Sequence, residues 1–248
     1  MLTLLVAAAP SLVLLVYFYF RDRYDREPLL ALLLAYLLGM FAMLAAQSLG
    51  AILADSVSEE WLRLGGEPAR LFEAFVLSGA VEEVAKWTML TAAVYHWREF
   101  DEPLDGLIYG VTIALGFATL ENYLYLSSHG VDIAWKRAIF AVPAHALFGG
   151  AMGYYAGRSK FAAKNAQRVH VWRDRVLCLG LPVLFHGAYN FALLHGLHWF
   201  TWSAISVLSL GFWVFVLRRV RLAQKASPFR PRTMLPSDFQ VPPTGRRV

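Results

Sequence analysis

The chain has 248 residues, of which 58% are hydrophobic and 17% charged, with a net charge of +5. Ordinary soluble domains carry about 25% charged residues, so the composition argues against a water-soluble fold. The single cysteine, Cys178, excludes an intrachain disulfide and any multi-cysteine metal site.

In chain order, Met1–Phe20 has no charged side chain and lacks the basic flank of a cleavable signal peptide. Its charges follow it, in RDRYDREP, so it reads as a retained first span. Leu29–Ala54 is uncharged over 26 residues. Segments at 70–97, 104–128 and 136–157 follow, each carrying some polar residues. Val176–Leu217 has no Asp, Glu, Lys or Arg over 42 residues. At about 20 residues per crossing, that run accommodates two spans, at 175–196 and 199–217. Hydropathy ranks the third, fourth and sixth of these segments lowest.

The expected fold class is therefore all-α: a polytopic membrane helical bundle of about seven transmembrane helices. Residues 1–217 form the membrane domain. Residues 218–248 are basic, contain several prolines and show no periodic apolar face, so they are expected to form a disordered cytoplasmic tail. With seven spans the connections alternate sides. One side then receives 18 Lys and Arg residues and the other 4, with Lys86 inside a span. The positive-inside rule puts the N-terminus outside and the C-terminus in the cytoplasm. The net positive charge is accounted for by this topology and by contact with anionic lipid in the bilayer; no nucleic-acid partner is expected.

Ionisable groups inside a bilayer cost about 2.5–3.5 kcal/mol on insertion scales and point to function. The stretch LSGAVEEVAKWTML carries Glu82, Glu83 and Lys86. Lys86 is four residues after one glutamate and three after the other, so it shares a helix face with both. One lysine neutralises one glutamate fully; the second must find another partner or carry a proton. A purely structural ion pair needs only one carboxylate. GFATLENYLYL adds Glu121 and Asn122. Glu121 has no base nearby in sequence, so its partner lies on another helix, unless it is hydrated at the outer interface.

In VPAHALFGGAMGYYAG, His145, Gly149, Gly153 and Gly157 recur every four residues. Small residues at that period allow close helix approach in lipid, which draws His145 onto the packed face. In LFHGAYNF, His186 and Asn190 share a face. Asn190 could hold a water or an oxyanion, or clamp two helices together. At a rise of about 1.5 Å per residue, Glu82 and His145 lie about 18 and 14 Å from the outer ends of their spans. On the same rise, Glu121 and His186 lie about 25 and 17 Å from the inner ends of theirs. All fall between mid-bilayer and the outer leaflet. Four successive helices thus bring three Glu, two His and one Asn to one level, as the lining of a polar cavity.

At these residues the chain resembles the PrsW-type intramembrane proteases, relatives of the type II CAAX prenyl proteases. EEVAK fits their EExxK motif, FATLE their FxxxE motif and HGAYN their HxxxD/N motif. The resemblance runs from about Ala9 to Asn190. It implies hydrolysis of a peptide bond within or just outside the bacterial cytoplasmic membrane, on a single-pass membrane protein such as an anti-sigma factor. It also implies catalytic roles for Glu82, Glu83, Glu121, His145, His186 and Asn190, with Lys86 in support. Asn190 stands where some members have Asp, which removes a charge and a ligand.

Two mechanisms stay open. In one, Zn²⁺ is held by ligands from His145, His186, Glu82 and Glu121. In the other, a glutamate alone activates water. The HExxH signature is absent, which favours the second. Two other classes compete: a proton-coupled transporter using the same Glu, His and Lys cluster, and a membrane scaffold using the glycine faces. No internal repeat supports a transporter, and a scaffold leaves the carboxylates unexplained.

Overall fold

A computed structural model of the chain describes residues 1–57, 61, 65–164, 168–195 and 199–231. Among these the regular structure is helical, in seven rods. α1 is Leu2–Tyr19 and α2 is Leu29–Asp55. α3 is continuous through three parts: Gly66–Phe72, a π-helical stretch Glu73–Ala80, and Val81–Ala92. α4 is Pro103–His129. α5 runs through Ala134–Lys136, a second π-helical stretch Arg137–Ala141, and Val142–Lys164. α6 is Arg168–Leu194 and α7 is Trp199–Lys225.

Five of the seven are long and apolar enough to cross a membrane by length and composition. α3 and α5 fall outside that set, whereas the fourth and sixth segments, ranked low from sequence, fall inside it. Burial differs sharply among the five. Only 17% of the most apolar window of α1 is buried and 22% of that of α7, against 89% for α4. Peripheral helices present leucine and valine outward, where lipid is the solvent. α5 can be more polar because protein, not lipid, surrounds it: every residue from Ala144 to Gly157 is buried.

α4 is the axis of the bundle. Every residue from Leu104 to Thr119 is buried, as expected of a helix that is apolar on all sides. Its start is fixed by Pro103 in the first turn and by Asp105, whose Oδ2 accepts the amides of Asp101 and Glu102 at 2.8 and 2.7 Å. Glycine sets the distance to its neighbours. A Cβ on Gly153 of α5 would overlap the Gly106 carbonyl of α4, and one on Gly149 would overlap that of Gly110. On the other side, a Cβ on Gly116 would overlap the Tyr36 carbonyl of α2. The four-residue glycine spacing read from α5 thus meets a matching pair, Gly106 and Gly110, on α4.

The ends of the bundle alternate as the seven-span count requires. At the basic end, Lys160 donates to the carbonyls of Tyr95 and Phe100 at 2.7 and 2.8 Å, and Gln224 of α7 donates to the carbonyl of Arg21. At the opposite end, His195 meets Glu67 at 2.9 Å. Also at the basic end, burial pushes the Asp22 carboxyl up to about 6 and that of Glu102 up to about 7.

Two sequence boundaries move. The basic segment 158–175 is largely helical, because α5 continues to Lys164 and α6 starts at Arg168. An ion pair from Arg158 to the fully buried Asp174, at 3.0 Å, ties those helix ends together. α7 continues past residue 217 to Lys225, since Val216, Val220 and Ala223 keep a buried stripe in helical register. The expected disorder of the tail falls, from residue 232 on, outside the described residues.

Candidate active site

A cavity of about 760 Å³ opens between α3, α4, α5, α6 and α7. Its polar lining includes Glu82, Glu121, His145, His186 and Asn190. Five of the six predicted site residues therefore share one space. Both helices that carry a π-helical stretch, α3 and α5, deliver a site residue shortly after it: Glu82 after Glu73–Ala80, and His145 after Arg137–Ala141. A π stretch re-aims the side chains that follow it, and such insertions concentrate at functional sites.

The sixth residue, Glu83, is directed away from the cavity. Adjacent helical residues diverge by about 100°, and here that separates the two glutamates. Glu83 is fully buried. Its Oε1 accepts from Lys86 Nζ at 2.7 Å and from His186 Nδ1 at 2.8 Å. Glu82 keeps a side chain 19% exposed, toward the cavity. Its Oε2 is buried without a hydrogen-bond partner and lies 3.8 Å from both Lys86 Nζ and His186 Nε2. Glu83 Oε2 is likewise buried without a partner. What sets Glu82 apart is that it lines the cavity and that its nearest cationic contacts stand at 3.8 Å, where those of Glu83 stand at 2.7 and 2.8 Å.

Lys86 is 1% exposed and holds several groups at once. Besides Glu83 it donates to His145 Nδ1 at 3.0 Å, and its ammonium sits 4.2 Å from the centre of the Phe117 ring. An ammonium on Nδ1 makes that nitrogen the acceptor. His145 Nε2–H then donates to Glu121 Oε2 at 3.0 Å. On His186 the arrangement is reversed. Nδ1–H donates to Glu83, which leaves the Nε2 lone pair facing Glu82. Phe148 stacks on the His186 ring with centroids 5.1 Å apart.

The model of the family described as "PrsW family intramembrane metalloprotease" matches residues 27–218. The chain belongs to this family. Protease PrsW of Geobacillus kaustophilus is 37% identical over 233 residues, covering 94% of this chain and 96% of the relative. Protease PrsW of Bacillus subtilis is 39% identical over 219 residues, covering 88% and 94%. Protease PrsW of Clostridioides difficile is 33% identical over 223 residues, covering 88% and 87%. No solved structure matches at comparable significance. The chain is a multi-pass membrane protease, and the transporter and scaffold readings give way to it.

The family description implies a metal, and the side chains can be tested against one. Glu82, His145 and His186 each offer one ligand atom, and these atoms lie within 4.8 Å of one another. Two imidazoles and one carboxylate form a recognised zinc donor set. The His186 Nδ1–H to Glu83 bond is the outer-shell contact that orients a histidine ligand, and Glu82 Oε2 has no competing partner. Glu82 and His186 fit zinc as they stand, whereas both nitrogens of His145 are engaged, so His145 would join them only by exchanging its Lys86 or its Glu121 hydrogen bond for the ion. Glu121, named from sequence as a fourth ligand, is outside this group and is held instead by His145 and by Arg137 Nη2 at 2.7 Å.

Arg137 is a cavity-lining residue that the sequence reading did not single out, having been counted as a charge of an outer connection. It lies in the π-helical stretch of α5 and also donates from Nε to Asn122 Oδ1 at 2.5 Å. The available signal was an unpaired Glu121 in need of a cation. Tyr189, which also lines the cavity, was likewise not singled out.

Proposed function

We propose that this protease is an endopeptidase of membrane-anchored proteins, acting at mid-to-outer bilayer depth, with Glu82 as the group that activates water. The observation that carries the reading is the division of labour between neighbours. Glu83 is locked through Oε1 to Lys86 and His186 at 2.7 and 2.8 Å, while the Glu82 carboxylate lines the cavity with its nearest cationic contacts at 3.8 Å.

In this reading an extended substrate segment lies in the cavity with its carbonyl near Glu82. Glu82 takes a proton from water as the water oxygen bonds to the carbonyl carbon. The oxyanion is met by the Asn190 amide, one helical turn beyond His186. The C–N bond then breaks, and the leaving nitrogen takes the proton from Glu82. Glu83 and Lys86 act as positioning residues that hold His186 and His145 in place. Zn²⁺ held by Glu82, His145 and His186 would lower the pKa of a bound water and polarise the carbonyl. Arg137 and His145 fix Glu121 at the cavity wall.

The substrate class we infer is a single-pass membrane protein, anti-sigma-factor-like in having one span and an extracytoplasmic part. The compartment is the bacterial cytoplasmic membrane, with the basic end of the bundle inside. The test compares membrane-protein fragments shed by bacteria expressing the native chain and Glu82→Gln at matched levels. Fragments present only with the native chain give the substrate and the depth of the cut. Identical fragment sets, with both proteins folded, would sink the assignment of Glu82.

A further inference from the structure

A second convergence of carboxylates lies at the basic end of the bundle. Asp22 comes from the α1–α2 connection, Glu102 from the residue before α4, and Asp105 from the first turn of α4. Each offers one oxygen, and the three oxygens lie within 4.8 Å of one another. All three residues are at most 1% exposed. Glu27, also buried, sits alongside and accepts the Tyr109 hydroxyl. Among the described residues none of the four forms an ion pair with a lysine, arginine or histidine.

Mutual repulsion would scatter these groups unless something held them. Asp105 is partly accounted for, since its Oδ2 accepts two backbone amides. Asp22 is not: both of its oxygens are buried without a hydrogen-bond partner. Glu102 accepts the Asp105 amide in a capping box, and like Asp22 it meets no cationic side chain among the described residues. Buried carboxylates left in this state are expected to be paired or to coordinate a metal. Arg26 Nε donates to the Asp22 backbone carbonyl at 3.1 Å rather than to its carboxylate.

We propose that Asp22, Glu102 and Asp105 form a binding site for a hard divalent cation, Ca²⁺ or Mg²⁺, that pins the α1–α2 connection to the start of α4. An all-oxygen, all-carboxylate set selects hard cations over zinc. With Ca–O bonds of about 2.3–2.6 Å, two ligand oxygens can stand up to about 4.6–5.2 Å apart, which covers the span present. Mg²⁺, at about 2.0–2.1 Å, brings them within about 4.2 Å and keeps more of its own waters. An adjoining cavity of about 300 Å³, lined in part by Asp25, Arg26, Glu27 and Asp105, provides entry and room for those waters. Asp105 is 16 residues before Glu121 on one straight helix, about 24 Å away, so this site is separate from the one at Glu82. The inference does not depend on the proposed mechanism there.

The experiment uses the full chain, purified in detergent, stripped with EDTA and titrated with Tb³⁺ as a luminescent stand-in for Ca²⁺. Tyr109 touches Glu27, and Trp97 lies edge-on to Tyr109 at 5.5 Å, so both can sensitise a bound lanthanide. Saturable emission is expected. It should be lost in Asp22→Asn/Glu102→Gln and kept in Glu82→Gln. Whichever of Ca²⁺ and Mg²⁺ displaces Tb³⁺ at the lower concentration is the better occupant. The same cation should raise the unfolding temperature of the native chain by several degrees and leave that of the double variant unmoved. If the double variant does not fold, Asp22→Asn alone serves for both readouts. Emission that survives these substitutions, or a native chain with neither emission nor thermal shift, overturns the proposal. In the latter case the carboxylates share protons, and the double variant should be more stable than the native chain with or without cation.

Discussion

The separation of Glu82 from Glu83 makes opposite demands on two substitutions that are chemically the same. Glu83→Gln removes the charge that Lys86 and His186 meet at 2.7 and 2.8 Å in a fully buried place. Breaking a buried pair costs about 3–5 kcal/mol, most of it from the ion left behind. Glutamine keeps a carbonyl that can accept from Lys86, so a value near 3 kcal/mol is expected. For a chain of this size, about 2–4 °C accompanies each kcal/mol. The Glu83→Gln protein should therefore unfold about 6–12 °C below the native one. Glu82→Gln removes a charge whose nearest cationic contacts are at 3.8 Å, beyond hydrogen-bonding distance, and whose Oε2 is unpartnered. Its stability should stay within about 1 kcal/mol of native. Activity should rank the other way. Glu82→Gln should lose about 10²–10⁴-fold in cleavage, and Glu83→Gln, per folded molecule, about 10–100-fold through a misplaced His186. Thermal unfolding in detergent and cleavage of a membrane-spanning peptide measure both. Native stability in Glu83→Gln together with early melting in Glu82→Gln would refute the assignment.

Three further outcomes are expected. Arg137→Lys should retain part of the activity and Arg137→Met should lose about 10-fold or more, because a lysine cannot meet Glu121 and Asn122 together as the guanidinium does; cleavage rates of the three proteins at matched folded concentration check this. Elemental analysis of the purified chain should find about one zinc per molecule, lost in His186→Ala; a zinc-free, fully active native protein would leave water activation to Glu82 alone. Gly153→Ala should destabilise by about 1–3 kcal/mol, the range for overpacking, since its Cβ would overlap the Gly106 carbonyl; Gly180→Ala, with open space around it, should melt like the native chain.

The bundle was legible because its signals are coarse. Uncharged runs and the bias of Lys and Arg among the connections fix seven alternating helices without knowledge of what packs against what. The site was legible as a depth: Glu82, Glu121, His145 and His186 count out to one level from the ends of their spans. Which way each side chain faces was not. An ideal helical wheel drawn through α3 assumes 3.6 residues per turn, and the π-helical stretch Glu73–Ala80 breaks that phase just before Glu82. Arg137 was read as topology for a related reason. Its position, at the edge of a span, is where a cation snorkels to the interface by default. Only the fold reveals that a second π-helical stretch turns it inward onto Glu121.

The burial of α4 ties these points together. A carboxylate that must meet a histidine on a neighbouring helix needs the two backbones held at a fixed distance. Side-chain packing leaves some adjustment, because rotamers repack. Backbone contact leaves little. Along α4 and α5 the glycines at 106, 110, 149 and 153 let main chain rest on main chain. Beyond that contact, toward the cavity, Glu121 reaches His145 Nε2 at 3.0 Å. The glycine stripe is thus a spacer for the Glu121–His145 contact as well as a means of packing. A methyl group inserted there should displace that contact in proportion to how far it separates the helices. Activity should consequently fall further in Gly153→Ala than its loss of stability accounts for, since a misplacement of about 1 Å costs on the order of 10²-fold.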